Sequence, residues 1–230
     1  MSKRSSGLLS RLAARGRGVP TERDWRRCVV LEPLSGKRVP ELVSDGAGLA
    51  FSPLVLERPA EPLDPADPAV SALAAQTNGQ LVGWRLLART DDEALFGRGL
   101  PPDLLTVVVK QDGKRGIWSC ETKSSGRPLR ATRDGIRASS WRLDDSVELS
   151  PDDTELRICV TEQTFAGGRR ADGRVLAPDV YVSEDQLVLT MYVKPESGFQ
   201  MRTPNPETPV RVALAQPVGY RELIDGAVYH

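Results

Sequence analysis

The sequence predicts a mainly β protein, an antiparallel sandwich or barrel with one short helix at about residues 68–77. Three observations lead there. Apolar residues alternate with polar ones in short runs of period two, which sends successive side chains to opposite faces of a sheet. Residues that tolerate positive φ fall between those runs. A single stretch carries both start and stop signals around a helical repeat.

In chain order, the candidate strands are 28–31, 49–56, 81–89, 104–110, 117–122, 139–143, 180–183 and 210–214, together with two clear alternations. Leu156, Ile158 and Val160 alternate with Arg157, Cys159 and Thr161. Leu187, Leu189, Met191 and Val193 alternate with Val188, Thr190, Tyr192 and Lys194. Gln111-Asp112-Gly113-Lys114 and the segment from Gly167 to Gly173 supply hairpin or loop connections. The helix opens at Asp67, a capping side chain, with Pro68 at the first helical position. Val70, Leu73, Ala74 and Thr77 follow at i, i+3, i+4 and i+7, and Asn78-Gly79 stops it. Before it, Pro59, Pro62 and Pro65 each remove a backbone donor, so 59–66 is a connection rather than a central strand. This places a candidate subdomain boundary near residues 59–80.

Composition excludes several classes. The chain has 230 residues, 40% apolar and 27% charged, and no stretch approaches the roughly 18 apolar residues of a membrane-spanning helix. The only histidine is His230, which removes histidine-based catalysis. There is neither a GxSxG nucleophile elbow nor a P-loop. Cys28, Cys120 and Cys159 are an odd number without CxxC spacing, so neither a zinc site nor a complete disulfide framework is implied. No metal and no cofactor are expected. The segment from Leu8 to Ala14 is split by Arg11 and closed by Arg15, and Arg26-Arg27 is followed by only four apolar residues before Glu32, so neither serves as an export signal. A cytoplasmic location is expected.

Charge is distributed unevenly. Residues 1–27 hold eight Lys and Arg against two acids, a net +6, and the remainder carries −6. The domain reading is therefore a basic flexible arm, 1–27, on an acidic β-rich domain, 28–230. On a helical wheel Leu8, Leu9, Leu12 and Ala13 share one arc beside Arg4, Arg11 and Arg15, a basic amphipathic pattern able to fold on binding. Trp25 sits at the arm's junction, whereas Trp84, Trp118 and Trp141 are expected in the core.

Other clusters are weaker signals. Asp91-Asp92-Glu93, Asp144-Asp145 and Asp152-Asp153-Thr154-Glu155 could hold a cation or act as a carboxylate pair, but they lack calcium-loop spacing and read as solvated turns and caps. Gly167-Gly168-Arg169-Arg170 could bind an anion through backbone N–H groups together with Arg169 and Arg170. Cys120, in a strand pattern, reads as a structural thiol.

The motifs Gly83-Trp84-Arg85, Ala94-Leu95-Phe96-Gly97-Arg98-Gly99, Val160-Thr161-Glu162, Asp172-Gly173-Arg174-Val175, Asn205-Pro206-Glu207-Thr208-Pro209-Val210 and Leu223-Ile224-Asp225-Gly226 lie in a region, 83–226, that resembles a poorly characterised group of actinobacterial proteins, many secreted or lipid-anchored. The resemblance implies a β-rich fold and brings no activity. Secreted members place cysteines near the positions of Phe165 and Arg202; this chain has none there, which agrees with a reducing compartment.

The function expected is that of a non-enzymatic structural or protein-interaction module. Its partner-binding residues are Arg4, Leu8, Leu9, Arg11, Leu12, Arg15, Arg17 and Trp25. A protein partner or assembly is expected. Nucleic acid would be confined to the arm, because the body is acidic. Two alternatives stay open: a hydrolase using loop carboxylates such as Asp144 and Asp152, and a nucleic-acid-packaging shell protein with a basic arm.

Overall fold

A computed structural model describes residues 20–34, 40–44, 49–101, 103–125, 129–198 and 203–229. The chain is mainly β with predominantly antiparallel pairing, three helices among the described residues, and no closed barrel. It divides into two units. Unit 1 takes the described residues of Met1–Gly36 and Ser139–Asp225; unit 2 takes those of Lys37–Ala138 and Gly226–His230. The expected boundary near 59–80 therefore falls inside unit 2, and the dividing points lie elsewhere.

In chain order, unit 1 supplies α1 (Glu22–Arg27) and β1 (Val30–Leu31). Unit 2 follows with β2 (Glu41–Ser44), β3 (Ala50–Phe51), α2 (Leu54–Glu57), α3 (Pro68–Gln76), β4 (Trp84–Arg89), β5 (Glu93–Arg98), β6 (Leu105–Gln111), β7 (Trp118–Ser125) and β8 (Leu129–Arg133). The strand β9 (Ile136–Leu143) begins in unit 2 and ends in unit 1. Unit 1 is then completed by β10 (Glu155–Thr161), β11 (Asp179–Val182), β12 (Gln186–Tyr192), β13 (Thr208–Ala213) and β14 (Glu222–Asp225), and β15 (Val228–Tyr229) returns to unit 2.

Unit 2 is built around the antiparallel sheet β4-β5-β6-β7. Helix α3 starts as its sequence requires, with the Asp67 side chain accepting from Ala69 N at 2.8 Å and Pro68 in the first turn. It ends where Asn78 and Gly79 take φ of 53° and 77°. Its Ala69, Val70 and Leu73 pack against Trp84, Phe96, Val107 and Val109 on one face of the sheet. The opposite face places Leu87, Leu95 and Val108 against Leu42, Phe51, Leu56 and Leu129 from β2, β3, α2 and β8. The middle strands are consequently buried on both faces, which is why Ala94-Leu95-Phe96 and Val107-Val108-Val109 are continuous apolar runs rather than alternations.

The strand expected over 49–56 is corrected. Only Ala50–Phe51 is strand; Leu54–Glu57 is helical, because Pro53 at φ −57°, ψ −25° already holds a helical conformation and a turn there delivers Leu56 to the core.

The strands of unit 1 form one connected set around one core: β1-β13-β10-β9 are neighbours in that order, β9 also pairs β12, and β12 pairs β11 and β14. Leu156, Ile158 and Val160 of β10 and Val210 and Val212 of β13 meet Leu187, Leu189 and Met191 of β12, so the two alternations read from sequence are the facing walls of this core. The Trp141 indole of β9 donates to Leu189 O of β12 at 2.8 Å, adding a side-chain bond between two strands that also pair. Two pairs are parallel, β1 with β13 and β12 with β14, where antiparallel pairing was expected throughout. No helix among the described residues is long and apolar enough to cross a membrane.

One glycine is required by packing. A Cβ at Gly97 of β5 would stand 2.7 Å from Leu87 Cδ1 and 3.1 Å from Leu87 Cγ, and Leu87 is buried in the core. Gly97→Val is expected to lower stability by about 1–3 kcal/mol through overpacking, read from the urea midpoint at constant m; an unchanged midpoint would show that this strand pair is looser than the geometry states.

Candidate functional site

The region expected to bear function begins at α1. Thr21 and Asp24 form a reciprocal capping box: Asp24 N donates to Thr21 Oγ1 at 3.4 Å, and Thr21 N donates to Asp24 Oδ2 at 2.7 Å. Glu22 and Asp24 occupy the first turn and Arg26 and Arg27 the last, the arrangement the helix dipole favours. Trp25 is only 2% exposed. Arg157 of β10 lies over the Trp25 ring at 5.7 Å and reaches Glu22 at 3.8 Å, while Arg170 donates to Asp24 Oδ1 at 2.7 Å.

These contacts correct two expectations. The reading of an arm to residue 27, with Trp25 among its partner-binding residues, is corrected: residues 20–27 belong to unit 1 and Trp25 is buried there with the Arg157 guanidinium over its ring, a contact that favours the ring inside. Arg4, Leu8, Leu9, Arg11, Leu12, Arg15 and Arg17 lie outside the described residues. Arg169 and Arg170 were expected to offer an anion site. Instead Arg170 is engaged by Asp24, and Arg169 stands 3.7 Å from Glu196 and donates to Ala166 O at 3.3 Å. Gly167 and Gly168 do take the positive φ expected of a turn, 64° and 74°.

Two carboxylates of unit 1 are buried with their own guanidinium groups. Arg174 donates through both terminal nitrogens to Glu162 at 2.7 and 2.6 Å, and Arg142 donates from Nη2 to Glu207 at 2.6 Å and from Nε to both oxygens at 3.1 Å. The side chains of Glu162 and Glu207 are each 2% exposed. Both line a cavity of about 450 Å³ with Phe165 and Asn205 at its wall. Asn205 closes the loop beside it, donating to Thr164 O at 2.5 Å and accepting from Ala166 N at 3.0 Å. Carboxylates held this way, each on the fork of one guanidinium, are fixed in position.

Asp144 and Asp152, the carboxylates named for a hydrolase, line one cavity of about 360 Å³ with Val147 and Arg157. Asp144 accepts from Ser146 N at 3.1 Å and from Ser146 Oγ at both oxygens, 2.9 and 2.8 Å, the pattern of a turn cap. Asp153 likewise accepts from Ser150 N at 2.7 Å, and Asp92 accepts from Thr90 Oγ1 at 2.9 Å. Among the described residues no group of three His, Cys, Asp or Glu side chains is placed to hold a metal ion. Burial pushes the Cys159 thiol up to about 11 and also raises Cys28 and Cys120, so all three lose thiolate character at neutral pH. Sequence reasoning missed α1 as an anchor, although Thr21-Glu22-Arg23-Asp24 carries the capping-box pattern in plain view.

No protein-family model, curated protein or solved structure matches this chain.

The Arg170 guanidinium, then Thr21, hold the Asp24 carboxyl well below the usual carboxylate range. A depressed folded-state value gives stabilisation that is complete above the ordinary range and lost as pH falls through the lowered one. The Trp25 indole N–H resonance is therefore expected to stay in place from pH 7 to about pH 4 and to move only below it; a transition centred on the ordinary aspartate value would show the pair to be unformed in solution. In the buried pairs, Arg174→Met is expected to cost about 3–5 kcal/mol, because it leaves Glu162 charged and enclosed. Denaturant unfolding at pH 7 measures it, and a loss under about 1 kcal/mol would mean that Glu162 reaches water.

Proposed function

We propose that the protein is a non-enzymatic interaction module whose basic N-terminal segment docks an acidic surface on a protein partner. The observation that carries this reading is the anchoring of α1. Residues 1–19 contain Lys3, Arg4, Arg11, Arg15 and Arg17 and no acid, and they lead directly into a helix held by Trp25 burial, Asp24–Arg170 and Glu22–Arg157. A fixed root limits the volume that the segment preceding it searches and so raises its effective concentration at a partner bound nearby. The buried carboxylates of unit 1 support the same reading, since Glu162 and Glu207 are saturated by arginine and Asp144 by serine.

The partner is read as protein because the amphipathic arc of Leu8, Leu9 and Leu12 beside Arg4, Arg11 and Arg15 suits a groove that is apolar at its floor and acidic at its rim. Electrostatic complementarity of this kind chiefly accelerates encounter, so the interaction is expected to weaken with salt. The test is affinity purification of the native complex with the full chain and with a variant carrying Arg4→Glu, Arg11→Glu, Arg15→Glu and Arg17→Glu. Recovery of the companion is expected to fall by about tenfold or more in the variant. Equal recovery overturns the reading, and so does recovery that disappears on nuclease treatment, which assigns the segment to nucleic acid.

A further inference from the structure

The cavity of about 360 Å³ that Asp144 and Asp152 line in unit 1 is apolar on one part of its wall and acidic on another. Leu143, Val147 and Leu149 supply the apolar side chains. Leu143 and Leu149 pack on the core of the unit, whereas Val147 is 46% exposed. Residues 144–155 hold six acids and no base. Asp145 is met by Arg142 at 3.0 Å and Glu155 by Arg211 at 3.5 Å. Among the described residues no cation pairs with Asp144, Glu148, Asp152 or Asp153, and the serine bonds that cap Asp144 and Asp153 leave their charge in place. Like charges gathered in this way attract a segment of opposite sign.

The chain itself carries that segment. Residues 1–19 hold five cations and no acid, with Leu8, Leu9 and Leu12 among them. They join the described structure at Pro20, which is buried. Two residues further on, Glu22 stands 3.8 Å from Arg157, and Arg157 belongs to the cavity wall. The root of the segment is therefore set against the cavity. Residues 13–19 extend over roughly 23 Å, which brings the leucines within reach of Val147.

We propose that residues 1–19 dock in this cavity of their own chain, the leucine side chains on Leu143, Val147 and Leu149 and the guanidinium groups on Glu148, Asp152 and Asp153. A tethered segment meets its site at a high effective concentration, and a basic amphipathic stretch too short to hold a helix alone gains one by docking. The contact goes beyond the docking reading: it forms without a partner, and any partner that takes the segment has first to displace it.

The test is trypsin digestion of the purified full chain, with the rate of cutting after Arg11 and Arg15 read by mass spectrometry. The comparison variant carries Val147→Ser, Glu148→Gln and Asp152→Asn, three exposed positions, and leaves every cleavage site in place. Cutting tracks the undocked population, so the variant is expected to be cut about fivefold faster or more at about 50 mM salt, with the difference narrowing at about 1 M. Equal rates at low salt overturn the proposal. Protection that grows with protein concentration also overturns it and assigns the cavity to the segment of a second copy. The reciprocal variant, Arg4→Glu, Arg11→Glu, Arg15→Glu and Arg17→Glu, alters only residues 1–19 and is expected to move the methyl resonances of Val147 and Leu149; unmoved methyls overturn the proposal whatever the digestion shows. Neither measurement contains a partner, so its failure leaves the outcome of the affinity purification standing, and the converse holds.

Discussion

Double-sided burial of β5 and β6 is the constraint on which unit 2 depends. Leu95 and Val108 point to one core while Ala94, Phe96, Val107 and Val109 point to the other, so neither face of that sheet can be left to water. At roughly 25 cal/mol per Å² of apolar area, an uncovered face would outweigh the stability of a small domain. The rest of the unit follows. Helix α3 must lie on one face, β2, β3, α2 and β8 on the other, and the proline-rich stretch between α2 and α3 carries the chain from one covering layer to the next. The Arg89–Asp67 pair fixes where that passage ends, joining β4 to the first turn of α3. Pro59, Pro62 and Pro65 suit the passage because it needs extended backbone and no ladder donors.

Unit 1 meets a different demand, that of closing long loops around the core its connected strands enclose. Its buried Glu162–Arg174 and Glu207–Arg142 pairs lie at the ends of β10 and β13, and Asn205 bonds across the loops leaving them. Such pairs add modest net stability, because desolvation offsets much of their attraction. Their value here is positional: a carboxylate 2% exposed admits one arrangement of its guanidinium, and that arrangement sets the loop.

Strands were legible where one face is buried, as in 156–161 and 187–193, and the helix at 68–76 was legible because Asp67 and Pro68 act locally. The β8–β9 hairpin was equally readable. Asp134 and Gly135 take φ of 52° and 75° in a two-residue connection, the Asp-Gly signal of a primed turn, and Leu129 and Ala131 alternate with Arg130 and Thr132 beside it, over too short a run to stand out. Strand β5 escaped notice for the opposite reason: Ala94-Leu95-Phe96-Gly97 is apolar on both faces, so it has no period to detect. Long-range choices were beyond any local pattern. Nothing near Val30 announces a parallel pairing with Arg211, and nothing near Trp25 announces Arg157 above its ring. Of the site residues, the pattern identified the charged types correctly and could not assign their partners, so Arg170 read as an anion ligand when it is the counter-ion of Asp24.

The partly enclosed arginines of this molecule are held in two ways, by carboxylates and by backbone carbonyls. Arg142, Arg170 and Arg174 are all partly enclosed, and each meets a carboxylate. Arg221 shows that carbonyls can suffice: its Nε donates to Ser183 O at 2.8 Å and its Nη1 to Pro217 O and Val218 O at 3.2 and 3.1 Å, so both edges are used. Arg85 borrows the same device on Nη1 and then stops, leaving a buried Nε without an acceptor. A donor enclosed without a partner costs about 1–3 kcal/mol, more than the net gain from one of the neutral bonds beside it. Arg211, which pairs with Glu155 at 3.5 Å, leaves its buried Nε unmatched in the same way, so an unmatched edge is a cost that these structural guanidinium groups carry and not the mark of a ligand site.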